Sequence, residues 1–438
     1  MPLSAREAAL AALTAYRRSG AWSESWLRAL FDREKTDPRD RALATALACG
    51  VLQNRLYLDE RLDRFVRSGT AKLQPQLLDI LRLSAYQLLF LDRIPVSAAV
   101  NEAVELAKKV NPGAAKLANA VLRRLAAEKD TLPEPEEPWV RHSHPKEWYD
   151  YFRAAIGQEK TLALMEADNA PAPVTLRANG LKTTAEALLA ALEAEGTRAT
   201  PHPWLPGCLD LAPSGDPGAL AAFREGLAFA QDAGAACAVL AAEPKPGERV
   251  LDACAAPGGK SFLCALLMGD EGSILARDLH EKKLGRVASG AKRLGLTCIE
   301  TAVGDASKPD PALMGRFDLV LADVPCSGLG VARRKPELRW KSLESLGGLP
   351  EVQGRILQNL ASFVRPGGRL LYSTCTLLRE ENEAVTERFL ADNPGWRREA
   401  FTLPEPIGPC PEGQRTLWPF EFGTDGFYLC KLRKETEN

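Results

Sequence analysis

The 438 residues predict a doubly wound α/β domain in the C-terminal half, preceded by an all-α domain and a small α+β domain. Three observations carry that expectation. From about residue 231 onward, short apolar runs alternate with helix-length segments, the pattern of a parallel sheet joined by helical crossovers. Over residues 1–130, apolar side chains instead recur at helical spacing. Between these regions lies Thr131-Leu132-Pro133-Glu134-Pro135-Glu136-Glu137-Pro138, a linker over 131–138 whose prolines remove helical donors and whose acids repel one another.

The composition, 45% hydrophobic, is that of a globular protein with ample core. No apolar run is long enough to span a bilayer and no signal peptide is seen, so a cytoplasmic address and no membrane partner are expected. The ten cysteines are scattered with no CxxC pair, which argues against a structural zinc site and against a disulfide framework; no metal is expected. The formal net charge of −1 hides an asymmetry: residues 1–130 carry 21 Lys+Arg against 15 Asp+Glu, a net +6, leaving −7 for the rest. A basic N-terminal part fits RNA contact and equally fits an ordinary solvated surface.

Taken in order, the first region shows Leu77, Leu78, Leu81, Tyr86, Leu88 and Leu89 at helical spacing. Pro95 fits a helix start, and Asn111-Pro112-Gly113 a stop and turn. On the helix that follows, Lys116, Arg123 and Arg124 share part of one surface, placed to touch phosphates or simply to face water. Ile94–Glu105 together with Asn119–Arg124 resembles the NusB-type helical RNA-binding domain. Over residues 139–230, Val174–Arg177 reads as a strand and Thr184–Glu195 as an amphipathic helix. His142, His144 and His202 fall here; without a nearby cysteine they read as surface or capping residues rather than ligands. In the last region, 231–438, strands are expected at Arg249–Ala253, Ser273–Arg277, Thr297–Val303, Phe317–Asp323, Arg369–Thr374 and Phe427–Leu432.

A strand runs into a glycine-rich turn at Arg249–Ser261. This is neither a dinucleotide GxGxxG nor a phosphate-binding P-loop, because Cys254 stands where that loop needs its first glycine. Asp278 lies nineteen residues beyond Gly259 at the next strand end, the place of an acid that bonds ribose hydroxyls. Asp305 follows the third strand and Asp323 ends the fourth. Each acid alone has a plain reading as a helix cap. A glycine turn with acids on successive strand ends points to a nucleoside ligand without a polyphosphate.

Two cysteines sit just past apolar strands, in Asp323-Val324-Pro325-Cys326-Ser327-Gly328 and in Tyr372-Ser373-Thr374-Cys375-Thr376. A lone cysteine reads as a small buried residue. Two on strand-end turns of one sheet read as a functional pair, since ligands of open α/β sheets bind outside the carboxyl ends of the strands.

These motifs resemble those of the RNA cytosine-C5 methyltransferases, most closely the RsmB/Sun group, which acts on 16S rRNA. The resemblance covers essentially the whole chain once the NusB-like domain is counted. Val324 and Arg379 depart from the family's usual Ala and Pro. The resemblance implies a Rossmann-like methyltransferase domain and S-adenosylmethionine as cofactor, held by Cys254, Ala255, Ala256, Pro257, Gly258, Gly259, Lys260, Asp278, Asp305 and Asp323. It assigns Cys375 as the nucleophile that adds to carbon 6 of cytosine, and Cys326 to product release. Asp323 also suits a hydrogen bond to the cytosine ring. Arg333, Arg334, Lys335 and Arg339 follow the Cys326 turn and are expected to hold phosphates beside the flipped base, with a solvated basic loop as the competing reading. The same chemistry on tRNA, a non-catalytic RNA-binding factor, and a DNA-type enzyme with Cys326 as nucleophile are the alternatives. A monomer is expected.

Overall fold

The computed structural model describes residues 3–212 and 217–436. It divides into two compact units, one of residues 1–169 with 335–343, the other of 170–334 with 344–438.

The first unit is helical. Its elements are α1 (Ala5–Ser19), α2 (Ser23–Glu34), α3 (Pro38–Gln53), α4 (Arg55–Asp63), α5 (Pro75–Phe90), α6 (Val96–Lys108), α7 (Pro112–Glu128), α8 (Pro138–Arg141), α9 (Lys146–Ile156) and α10 (Gln158–Asn169). Local chemistry sets their ends. Ser4 and Glu7 form a reciprocal capping box on α1, and Gly20 closes it in the left-handed conformation. Asn111 stops α6 and starts α7, its side chain accepting from Ala114 N–H at 2.7 Å with Pro112 in the first turn. The apolar stripes of α1 to α7 meet in one core around Leu13, Leu27, Leu47, Leu62, Ile80 and Leu122.

The expected α+β region thus opens with helices, α9 and α10, which belong to the helical unit. A further piece of that unit comes from far along the chain. Residues 335–343 fasten there through Glu337, which accepts from the Ser23 N–H at 2.9 Å and from its hydroxyl, and through Trp340, whose ring N–H donates to the Leu52 carbonyl.

The second unit contains two main sheets. The smaller is antiparallel, in the order β2 (Ala199–Pro201), β3 (Cys208–Leu211), β1 (Val174–Ala178), β4 (Ala228–Ala230). It buries Leu176 and Leu209 against Leu188 and Leu192 of α11 (Ala185–Ala194), which Thr184 caps.

The larger sheet is built on β5 (Arg249–Asp252), β6 (Ser273–Asp278), β7 (Ile299–Val303), β8 (Phe317–Asp323) and β9 (Val364–Thr374), all parallel. Its order is β10–β14–β9–β8–β5–β6–β7, with β10 (Trp396–Arg398) and β14 (Phe427–Lys434) at one side; β11 (Phe401–Thr402) and β12 (Pro409–Cys410) pair with each other outside it, and β13 (Gln414–Leu417) pairs with β14. Here the structure departs from a wholly parallel sheet: β14 runs antiparallel to β9. The reason is its connection. It pairs antiparallel with the strand before it, Gln414–Leu417, rather than arriving by a helical crossover. Helices Ala233–Ala242, Gly259–Leu267 and Glu281–Leu294 cover one face through Ala236, Phe262 and Val287. Helices Leu349–Phe363 and Glu383–Asp392 cover the other through Leu357, Leu360 and Phe389. The chain reverses direction across the sheet between β5 and β8, so the carboxyl ends of β5, β6, β8 and β9 frame the crevice where such folds bind ligands.

Candidate active site

β8 ends at Asp323 and β9 at Thr374, side by side in register, with Asp323 opposite Ser373. The turns leaving these two strands bring Cys326 and Cys375 together, with their sulfurs 3.4 Å apart and both half-buried. The thiol of Cys326 is held well above the ordinary range by its hydrogen bond with Cys375 and by burial, with the charges of Glu381 and Asp323 adding to the effect. Either sulfur can donate to the other.

A buried polar network fixes this spacing. The hydroxyls of Ser327 and Thr376, each next to one of the cysteines, are 2.7 Å apart. Glu381 accepts from Ser327 N–H at 2.9 Å and from the Gln353 amide at 2.7 Å, and Gln353 also donates to the Pro325 carbonyl. Asn382 donates to the Thr376 carbonyl and accepts from Thr374. A third loop interlocks with both turns: Gly330 N–H donates to the Cys375 carbonyl at 2.9 Å and Gly426 N–H to the Gly330 carbonyl at 2.7 Å. Glycine is required at position 330, because a Cβ would strike the carbonyl of Gly426.

The strand end of β5 supplies the glycine turn. Ala255 is buried and its N–H donates to the Arg277 carbonyl at 2.8 Å; Ala256 is half-buried and Pro257 exposed. Gly258, at φ +114°, passes so close to the Phe262 ring that a Cβ would collide with it. Gly259 starts the next helix. Cys254 is half-buried in this turn; burial raises its thiol pKa, and so do the charges of Asp252, Asp323, Asp278 and Asp305. Asp278 and Asp323 end β6 and β8, the two strands that flank β5. Asp278 and Asp305 each close a local turn rather than cap a helix, accepting from His280 N–H at 3.0 Å and from Ser307 N–H at 3.0 Å. Asp305 titrates below the usual range because of its Ser307 hydrogen bonds.

Lys260 joins the glycine turn to the thiols. Its ammonium lies 2.7 Å from Asp323 and over the Phe427 ring. Burial opposes its charge, but Asp323 prevails and its pKa rises, with Asp252 and Cys375 adding smaller contributions in the same direction. Asp323 accepts from Ser373 with its other oxygen at 2.8 Å, so one carboxylate touches both the glycine-turn lysine and the Cys375 strand. Asp252 is fully buried, accepts from Ser261 at 2.6 Å, and has one oxygen without a partner; burial lifts its pKa to about 6. The tight glycine turn and the acids that end the flanking strands fit a nucleoside-bearing methyl donor.

The basic stretch behaves differently. Arg333 is nearly buried and pairs with Asp425 at 2.6 Å and Asp232 at 3.4 Å. Arg334 pairs with the same two acids and donates to the Pro173 carbonyl. Within the helical unit, the side chain of Arg339 is fully buried and donates to Asn169 at 2.9 Å and to the carbonyls of Gln53, Ser143 and Asp168. These three guanidiniums are taken up by the fold, which corrects the expectation that they hold phosphates. Lys335 is exposed, over the Trp22 ring. Lys116, Arg123 and Arg124 are exposed on α7, with Arg123 on Asn119 and Arg124 near Glu128 and Phe65. His144 is buried beside Asp168 at 3.4 Å, and burial lowers its pKa to about 4. Among the described residues no cluster of metal-ligand side chains and no membrane-length apolar helix occurs.

The sequence reading missed the network behind the cysteines. Glu381 and Asn382 lie just past Arg379, and Gln353 comes from a helix with no motif to mark it. A carboxylate and an amide six and seven residues past Cys375 were the available signal.

Residues 239–433 match the family model described as 16S rRNA methyltransferase RsmB/F. Residues 3–127 match the NusB family and 144–216 the ferredoxin-like domain of RsmF/B-like methyltransferases. A Bacillus subtilis protein named probable ribosomal RNA small subunit methyltransferase B is 36% identical over 448 residues, 99% of each chain. The Pseudomonas putida ribosomal RNA small subunit methyltransferase B is 37% identical over 443 residues, again 99% of each. The crystal structure of PH0851 superposes with a TM-score of 0.81 at 26% identity, covering 99% of this chain and 100% of that one.

Proposed function

The chain belongs to the RsmB/F family of 16S rRNA methyltransferases, and on that premise we propose that it methylates carbon 5 of a cytosine in 16S rRNA through a covalent adduct on Cys375. The single observation that carries this reading is the 3.4 Å approach of the Cys326 and Cys375 sulfurs on one strand-end rim.

Carbon 5 of cytosine is a poor nucleophile. A thiolate of Cys375 adding to carbon 6 makes the S–C6 bond and moves electron density onto carbon 5, splitting one hard step into easier ones. S-adenosylmethionine, when bound, supplies the methyl group that carbon 5 accepts. Release is a β-elimination: a base assisted by Cys326 takes the carbon-5 proton, the freed electron pair forms the C5=C6 double bond, and the S–C6 bond breaks with its electrons going to the Cys375 sulfur. The 3.4 Å approach of the Cys326 sulfur to that of Cys375 supports this role for Cys326 in release. Asp323, fixed by Lys260 and Ser373, stands at the join of donor rim and thiol pair, placed to orient the base. The target base must leave its stack to reach this pocket, which unpaired rRNA permits most readily.

The test is a pair of variants with 16S rRNA and S-adenosylmethionine. Cys375→Ala is expected to abolish methyl transfer while donor binding persists. Cys326→Ala is expected to trap a protein–RNA adduct that denaturing gels resolve. An adduct that needs Cys326 and survives loss of Cys375 would reverse the two roles. Mapping 5-methylcytosine in total RNA, with and without the protein, separates rRNA from tRNA as the substrate.

A further inference from the structure

Away from the catalytic rim, the helical unit concentrates guanidinium groups that the methylation chemistry does not use. A cavity of about 390 Å³ opens among α1, α3, α4 and α5, with Tyr16, Arg17, Arg55, Asp79 and Arg82 on its walls. Two of its arginines are matched by acids. Arg82 grips Asp59 with two hydrogen bonds of 2.7 Å and reaches Asp79 at 3.3 Å; Arg17 reaches Asp79 at 3.2 Å. Arg55 is not matched. Among the described residues no hydrogen bond or ion pair reaches its guanidinium, which lies over the Trp340 ring, 4.9 Å from the centroid. Burial lowers its pKa, repulsion from Arg82 lowers it further, and attraction to Asp59, Tyr16 and Asp79 opposes both without prevailing.

Three cations therefore face two carboxylates, and the unmatched charge is one already partly stripped of water. Such a cation is costly to leave unpaired, and a single negative charge would balance the cluster. The cavity falls in the range of small-ligand sites, roughly 300–1,000 Å³. A guanidinium fork suits two phosphate oxygens at once, and Trp340 holds that of Arg55 in place.

We propose that this cavity binds one phosphodiester of the substrate RNA strand between Arg55 and Arg17. The site is separate from the exposed Lys116, Arg123 and Arg124 on α7. It rests on the rRNA reading above, since that reading supplies the strand.

The test measures binding of a labelled single-stranded 16S rRNA fragment to the full-length protein by fluorescence anisotropy at several salt concentrations. Arg55→Gln is expected to weaken binding about 5- to 10-fold and to flatten the salt dependence by roughly 0.7 in the log–log slope, the value of one single-strand phosphate contact. Arg55→Lys is expected to restore most of the slope. Unchanged affinity and slope in Arg55→Gln, at a wild-type melting temperature, would overturn the site. Should Arg55→Gln fail to fold, Arg17→Gln at the more exposed edge carries the same expectation and the same overturning result. Inorganic phosphate that raises the melting temperature of wild type alone, with RNA binding equal in both proteins, would make this a free-phosphate site and also overturn the proposal. A wild-type protein that binds no RNA would bring down the rRNA reading and the site together, whereas RNA binding untouched by either substitution brings down the site alone.

Discussion

Residues 323–330 and 333–339 are near neighbours in the chain, each rich in side chains that do chemistry, and they end in different places. The first stretch carries Cys326 onto the strand-end rim, 3.4 Å from the Cys375 sulfur. The second sends Arg333 and Arg334 to Asp232 and Asp425, and Arg339 into the interior of the helical unit. Reach explains the contrast. A cysteine has one rotatable side-chain bond, so the strand that carries it decides where the sulfur lies. An arginine is long, always charged and able to bond in several directions, so it goes to the nearest acids and carbonyls. Motif position is thus a better guide for short reactive side chains than for long charged ones.

The strongest way to break this comparison is at the thiols. Cys375→Ala should lower methyl incorporation roughly 10⁴-fold or more, the scale of losing a covalent nucleophile, with the melting temperature unchanged. Arg339→Ala should do the reverse. Removing a buried cation that satisfies Asn169 and three carbonyls is expected to cost about 3–5 kcal/mol of stability in denaturant titrations, with no change in the salt slope of RNA binding. A changed slope at wild-type stability would return Arg339 to the phosphate-binding role.

Glu381→Ala sharpens the comparison by loosening the Cys326 turn from behind. It leaves the Ser327 N–H and the Gln353 amide without their acceptor, an expected cost of about 1–3 kcal/mol. Stalled adduct, as in Cys326→Ala, should appear in the same gels, and Glu381→Gln should recover part of the turnover by keeping one acceptor oxygen. Adduct levels like wild type in Glu381→Ala would show that the turn holds its place without this carboxylate.

The smallest effects are in pH dependence, and they have opposite signs in the two units. Asp252 ionises near 6 in the fold against 3.8 free. The folded state holds the extra proton, so its contribution is greatest below 3.8 and is lost as pH rises through about 6. His144 titrates near 4 in the fold against 6.5 free. Its contribution is present above 6.5 and is lost as pH falls through about 4. Asp252→Asn should therefore make stability rise more steeply with pH between about 4 and 6, and His144→Gln should make it rise less steeply between about 4 and 6.5, both read from urea midpoints at a series of pH values.

Local sequence determined a good deal of this molecule. The capping signals of α1 and α7, the alternation that gives β5, β6, β8 and β9, and the glycine turn at 258–259 are written in contiguous residues. Each depends on backbone preferences and apolar periodicity that act over a few positions. The acids at 278, 305 and 323 were legible because a strand end is itself a local feature. Only the tertiary structure decided the rest. It ran β14 antiparallel, because a strand's direction follows from how the chain returns to the sheet. It chose internal acids over phosphates for Arg333 and Arg334. It drew 335–343 into the helical unit, and it set Gln353, Glu381 and Ser327 behind the thiols. All of these join residues tens to hundreds of positions apart, where pairing follows from packing and charge in three dimensions and no short stretch of sequence contains it.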